Sequence, residues 1–338
     1  MHTPLRFGVI GSGRIGKIHA ENLARRIPGA TVTAIADPML ASAMETAAKL
    51  GIAAVYEDYH AILNDPNIDA VAICSSTNTH AQIIIEAAQA GKQIFCEKPI
   101  AYDLANIDAA LAAVEKAGVK LQIGFNRRFD PNFRKVRELV AAGTIGEAQI
   151  IRITSRDPGP PPIEYIKVSG GIFFDMTIHD FDMARYLAGS EVTEIFVVGA
   201  VRVDPLIGEA GDIDTAVITL RFANGAIGTI DNSRKAVYGY DQRVEVFGSA
   251  GMLSALNNNI DNVVFSGADN IQSAKPLYFF LERYAESFVS EMREFVNSVQ
   301  TGQPTLVSGI DGRIPVLMAM AAVRSLKENR PVKLSEIA

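Results

Sequence analysis

Cysteine is nearly absent: Cys74 and Cys96 are the only two in 338 residues. They lack Cys-x-x-Cys spacing, which leaves no basis for a disulfide framework or a structural zinc site and suits a reducing compartment. Each closes a strand-like run and reads as a packing residue. Clusters of Lys and Arg are missing as well. With a net charge of −6, the chain has no basic surface with which to displace counterions from nucleic-acid phosphates. The opening Met-His-Thr-Pro-Leu-Arg-Phe-Gly-Val-Ile-Gly has none of the charged lead, long apolar stretch and cleavage site of a secretory signal, so a cytoplasmic protein is expected. No apolar run is long enough for a membrane. The longest, 314–323, contains Pro315, falls far short of the roughly 20 residues a span needs, and is expected to be a buried helix. Low-complexity tracts are lacking too, and 48% hydrophobic with 21% charged residues describes a well-packed globular chain.

What is present is a change of rhythm. The length exceeds what a single core usually serves, so two domains are expected. Over 1–125, short β-branched runs (6–10, 31–36, 70–74, 93–96, 120–125) alternate with helical patterns (17–25, 40–50, 80–90, 104–116), the pattern of a parallel, doubly wound sheet. Over 126–338 come a helix at 131–142, a strand at 147–156, and the Pro-rich loop 157–163. Strand-like runs follow at 195–203, 215–222, 226–232 and 243–247, and then helices at 281–301 and 309–327. Asn-Gly and other glycine turns between these strands predict an α/β domain with a largely antiparallel open sheet.

Three constellations carry chemistry. Gly11-Ser12-Gly13-Arg14-Ile15-Gly16 follows a strand and opens a helix, where glycines allow a tight turn, close approach of a pyrophosphate and helix–sheet packing. The backbone from Gly11 through Ser12, Gly13, Arg14 and Ile15 is the expected seat of the phosphates, at a helix N-terminus. The next strand ends at Asp37, where a carboxylate accepts ribose hydroxyls, and Pro38 offers no cation for a 2′-phosphate; NAD is therefore favoured over NADP.

The second constellation, Glu97-Lys98-Pro99, stands at the carboxyl end of a predicted parallel strand, the ligand side of such sheets. Lys98 there stabilises charge on a substrate oxygen, or it is a surface lysine paired with Glu97; the tripeptide alone leaves both open. The third runs from Gly170 to Met183. At about 100° per residue, Asp175, His179 and Asp182 fall in a wedge of roughly 60° on an apolar helix. Histidine suits removal of an alcohol proton, with a carboxylate one turn away to orient it; a solvated polar face is the plain alternative. A metal bound by Asp and His is disfavoured for want of a third ligand.

These motifs, with Gly124-Phe125-Asn126-Arg127-Arg128-Phe129-Asp130, occur in an order over nearly the whole chain that resembles the glucose-fructose oxidoreductase/inositol dehydrogenase family. The run from Gly170 to Arg185 is most similar to its bacterial inositol 2-dehydrogenases. The resemblance implies a Rossmann domain and an α/β domain whose open sheet pairs subunits, commonly into homotetramers. It implies NAD-dependent oxidation of myo-inositol at its axial hydroxyl to 2-keto-myo-inositol, a small-molecule polyol substrate, and no metal. By position it makes Lys98 the substrate-orienting lysine before a cis proline, and Asp175 and His179 the catalytic pair. Asp182, Tyr238, Asn126 and Arg127 fall at substrate-contacting places. Glu97 and Lys98 join Ser75, Asn78 and His80 along the cofactor cleft, where Thr77, Asn78 or Thr79 also suits helix capping. Within the same frame stand dehydrogenases of scyllo-inositol, glucose or another sugar, a tightly held NADP with coupled half-reactions, and a non-catalytic NAD-binding regulator.

Overall fold

The computed structural model describes residues 3–337. The chain divides into two compact units, one of residues up to Phe129 with Glu286–Val316, the other of Asp130–Ala285 and the residues from Leu317 on.

In the first unit, strands β1 (Leu5–Ile10), β2 (Ala30–Ala36), β3 (Ala54–Tyr56), β4 (Ala70–Ile73), β5 (Gln93–Cys96) and β6 (Leu121–Ile123) form a parallel sheet in the order β3-β2-β1-β4-β5-β6. Strands covered on both faces need continuous apolar runs, and β4 is buried at every position. Helices Arg14–Arg25, Leu40–Leu50, Thr77–Gln89 and Leu104–Ala117 form the crossovers. The strand order reverses between β1 and β4, and ligands of such sheets bind at the carboxyl ends beside that reversal. The short β3 and the helix His60–Leu63 are additions that their brief patterns did not announce.

A division at residue 126 assigns 286–316 to the second domain, whereas the structure places it in the first unit. The reason is packing. On helix Ala285–Thr301, Val289, Met292, Phe295 and Val296 share a core with Phe7, Val9, Leu23 and Phe95, and the Phe295 ring lies 6.1 Å from both Phe7 and Phe95. Burial of each such side chain contributes about 1.5–3 kcal/mol. Helical periodicity reveals an apolar face, not the sheet it covers. The expected single helix 281–301 is also divided, into Phe280–Arg283 and Ala285–Thr301.

In the second unit, β7 (Ala148–Arg156), β8 (Val192–Ala200), β9 (Thr215–Phe222), β10 (Ile227–Ser233), β11 (Asp241–Gly248), β12 (Gly251–Ala255) and β15 (Val332–Lys333) form one sheet in the order β12-β11-β7-β10-β9-β8-β15. A separate ribbon pairs β13 (Val264–Ser266) with β14 (Ile271–Ser273). Only β7–β10 is parallel; the other pairings are antiparallel. Strict alternation along β9, with Ala216, Ile218, Leu220 and Phe222 buried, gives the sheet one covered face. Helix Thr177–Ala188 packs on β7 and β10. Among the described residues, no helix is long and apolar enough to cross a membrane.

Candidate active site

The three glycines of the first loop differ in what surrounds them. Gly11 has φ +97°, and a Cβ there would lie 2.6 Å from the Cys74 carbonyl; at Gly16 it would lie 1.9 Å from the Gly11 oxygen. Turn and helix packing therefore exclude a side chain at both. At Gly13, which precedes helix Arg14–Arg25, a Cβ would meet nothing within 4 Å. This is open space at a helix N-terminus, the cradle that a pyrophosphate requires. Asp37 closes the β2 end: its carboxylate accepts from Ser12 N at 2.6 Å and from Met39 N at 2.7 Å. It thus clips the glycine loop to the end of β2. Gly11 N donates to Ala36 O at 2.8 Å, and the Ser12 hydroxyl pairs with Ser42 at 2.9 Å. Gly11 and Ser12 therefore shape the loop, and the opening lies at Gly13. The residues present fit the dinucleotide.

At the end of β5, Lys98 is half-buried and the Lys98–Pro99 peptide is cis. The backbone N–H of Lys98 donates to the Glu97 carboxylate at 3.3 Å. His80 is 1% exposed, with Nδ1 2.9 Å from Pro99 O and Nε2 3.0 Å from Ser75 O. Burial lowers its basicity, and a neutral ring has one N–H to donate. His80 thus lies between the Ser75 loop and the lysine turn and donates to one of the two carbonyl oxygens it faces. Ser75 Oγ pairs with Thr79 Oγ1 at 2.7 Å, and Asn78 is exposed. The cap position of helix Thr77–Gln89 is Ser76, which makes no side-chain cap bond, so capping by Thr77, Asn78 or Thr79 is not what the fold uses. Asn126 and Arg127, in the 3-10 turn Asn126–Phe129, are both buried. Cys96 is buried, which pushes its thiol well above the usual range and suits packing, not nucleophilic chemistry.

In the second unit the expected continuous helix is two helices, Ile172–Asp175 and Thr177–Ala188, broken at Met176. Each is anchored separately. Asp212 accepts from Ile172 N at 3.1 Å, and the Thr177 hydroxyl donates to Asn232 at 2.6 Å. Asp175 therefore precedes the break, where its carboxylate accepts from Tyr165 Oη at 2.9 Å and Arg234 Nη1 at 3.0 Å. Of the helix Thr177–Ala188, only His179 and Tyr186 are not buried. Asp182 is 0% exposed, as is Asp180, which accepts from Asn232 at 2.8 Å. The polar wedge is thus divided: Asp175 and His179 retain exposure, and Asp182 is internal. Tyr238 is 39% exposed, with its hydroxyl donating to Asp241 at 2.6 Å and accepting from Arg156 at 3.2 Å.

Arg234 and Tyr165 were not visible as site residues in the sequence. Arg234 is completely buried, and although burial works against its charge, Asp175 foremost, with Asp212 and Asp157, keeps its basicity raised. No local pattern marks an arginine whose carboxylate partner is 59 positions away.

A Rossmann unit with an open glycine cradle and a carboxylate at the end of β2 defines a dinucleotide-binding protein, and the family it matches makes it an NAD-dependent oxidoreductase acting on CH–OH groups. Residues 5–125 match the family model of an oxidoreductase family with an NAD-binding Rossmann fold, and residues 133–254 match that of the GFO/IDH/MocA C-terminal domain. The chain belongs to the GFO/IDH/MocA family. It is 54% identical to a myo-inositol 2-dehydrogenase of Thermotoga maritima, over 98% of this chain and 99% of that protein. It is 39% identical to a scyllo-inositol 2-dehydrogenase (NAD(+)) of Bacillus subtilis, over 99% and 97%. The crystal structure of a probable dehydrogenase from Thermotoga maritima superposes with a TM-score of 0.97 at 54% identity, covering 99% of this chain and all of that one.

Proposed function

We propose that this protein oxidises myo-inositol at its axial hydroxyl to 2-keto-myo-inositol with NAD. The observation that carries the catalytic part is His179, half-buried on a helix in which ten of twelve residues are buried. A histidine kept accessible on such a helix suits contact with a ligand better than packing. The choice of substrate is supported by the higher identity to the myo-inositol relative, 54% against 39% for the scyllo-inositol one.

Bound NAD supplies the hydride acceptor. Glycine-loop backbone and Asp37 hold the dinucleotide. Lys98 binds the reacting hydroxyl and stabilises negative charge on its oxygen, and His179 accepts its proton at a ring nitrogen. Asp175, fixed by Tyr165 and Arg234, presents a carboxylate that favours the imidazolium. Tyr238 belongs to the rim.

A panel of inositols and sugars, read by absorbance of the reduced cofactor, tests this. The expected kcat/KM is highest for myo-inositol, about tenfold or more above scyllo-inositol, and higher with NAD than with NADP, whose 2′-phosphate Asp37 repels. Preference for scyllo-inositol overturns the stereochemical assignment, preference for NADP overturns the role of Asp37, and activity on no polyol or sugar favours the regulator.

Self-association is assigned to the sheet of the second unit. Met252, Phe247, Ile150 and Ile227 are successive cross-strand partners on one face, and Met252, Phe247 and Ile227 are 53%, 42% and 49% exposed. An apolar row of this kind suits burial against a second copy. Light scattering is expected to give a tetramer; a monomer that remains at micromolar concentration removes this assignment.

A further inference from the structure

Behind the lysine turn lies a buried cluster that the proposed reaction does not use. His19, on the helix that follows the glycine loop, is 0% exposed and faces two carboxyl groups. Its Nε2 lies 2.8 Å from Glu97 Oε1 and 3.9 Å from Glu291 Oε1. Polar atoms of the three side chains all lie within 4.8 Å of one another. The edges of Phe95 and Phe288 enclose the imidazole, with ring centroids at 5.0 and 5.8 Å. Glu291, on helix Ala285–Thr301, is 0% exposed, and neither of its carboxyl oxygens has a hydrogen-bond partner among the described residues. A carboxyl group buried without a hydrogen-bond partner is expensive, a cost that a leucine at this position would not carry.

The cluster leads to the lysine through Glu97. One Glu97 oxygen meets His19, and the other accepts the backbone N–H of Lys98 at 3.3 Å. Space for that carboxylate exists because residue 124 is glycine, where a Cβ would lie 3.0 Å from Glu97 Cδ and Oε2. On the opposite side the Pro99 carbonyl faces His80 at 2.9 Å. The turn bearing Lys98 is thus gripped at both neighbours, by one buried histidine each.

We propose that His19 and Glu291 are positioning residues, fixing the Glu97 carboxylate and through it the backbone of Lys98, so that the lysine is presented in one direction. This rests on the role assigned to Lys98 above. Burial, and then the charge of Glu97, push the Glu291 carboxyl well above the usual range. In that form it sits 3.9 Å from His19 Nε2 and adds no second negative charge beside Glu97.

A double-mutant cycle on the full-length enzyme tests the proposal. His19→Leu is expected to lower kcat on the order of 10- to 100-fold, the effect of a displaced reacting group. The NAD dissociation constant should hardly change, and the Lys98 amide should exchange hydrogen faster, read on the peptide 96–101. In a Lys98→Met background the same substitution should add almost nothing, because both act through the one ammonium. Glu291→Gln, which keeps an uncharged polar group of the same size, should restore most of what Glu291→Leu loses. If His19→Leu does not fold, His19→Gln takes its place in the cycle. Independent, multiplicative losses for His19 and Lys98 overturn the positioning role and leave that of Lys98 intact, whereas near-normal turnover of Lys98→Met alone overturns both. A rise in melting temperature with Zn²⁺ or Mn²⁺ that Glu291→Gln abolishes would identify the cluster as an ion site and also overturn the proposal.

Discussion

Replacing His179 by alanine is expected to reduce turnover by about 10²- to 10⁴-fold, the range for a lost general base, and to remove the acidic limb of the pH–rate profile. Oxidation of a neutral alcohol releases a proton together with the hydride, so a group able to accept it near neutrality lowers the barrier. His179 has the chemistry and the access: it is one of two residues not buried on its helix, whereas Asp180 and Asp182 beside it are sealed inside. Asp175→Asn should be milder. Arg234 and Tyr165 hold that side chain in place, and its charge favours the imidazolium; without the charge the ring gives up its proton more readily. The acidic limb should therefore persist but move to lower pH. Stopped-flow or steady-state rates across pH decide the matter. A His179→Ala enzyme that keeps the wild-type acidic limb transfers proton removal to Lys98.

Lys98→Met should cost about a hundredfold or more in turnover, the usual effect of removing a donor aimed at developing charge, while NAD binding, measured by titration, stays nearly intact. The difference is expected because the proposed mechanism gives the ammonium to the substrate oxygen and the glycine loop to the pyrophosphate. The geometry around Lys98 agrees with a placed residue: the turn is tied by Glu97 on one side and by His80 on the other. Near-normal turnover in the mutant removes Lys98 from the chemistry, and loss of NAD affinity in proportion to turnover reassigns it to the cofactor.

Legibility in the sequence followed the range of the interactions. The glycine loop, Asp37 and the Glu-Lys-Pro turn could be read because each is a local device, in which a turn, a strand end and a helix start occupy adjacent positions. The boundaries of β5, β9 and helix Leu40–Leu50 agree with the pattern to the residue, since apolar runs and glycine stops fix them locally. Asp175 and His179 were singled out by helical spacing, although that spacing assumed an unbroken helix. Met176 interrupts it because Asp212 and Asn232, from elsewhere in the second unit, anchor the two halves separately.

By itself the sequence determined the class of fold, the dinucleotide loop and the candidates for the reactive side chains, because these depend on residue type and near-neighbour spacing. Tertiary structure alone decided which members of a polar stripe remain accessible, sealing Asp182 and leaving His179 open. It also assigned helix Ala285–Thr301 to the first unit's core and brought Glu291 to His19 and Glu97. Burial and long-range pairing depend on which surfaces meet in three dimensions, and an amphipathic pattern gives the face of a helix without naming what covers it.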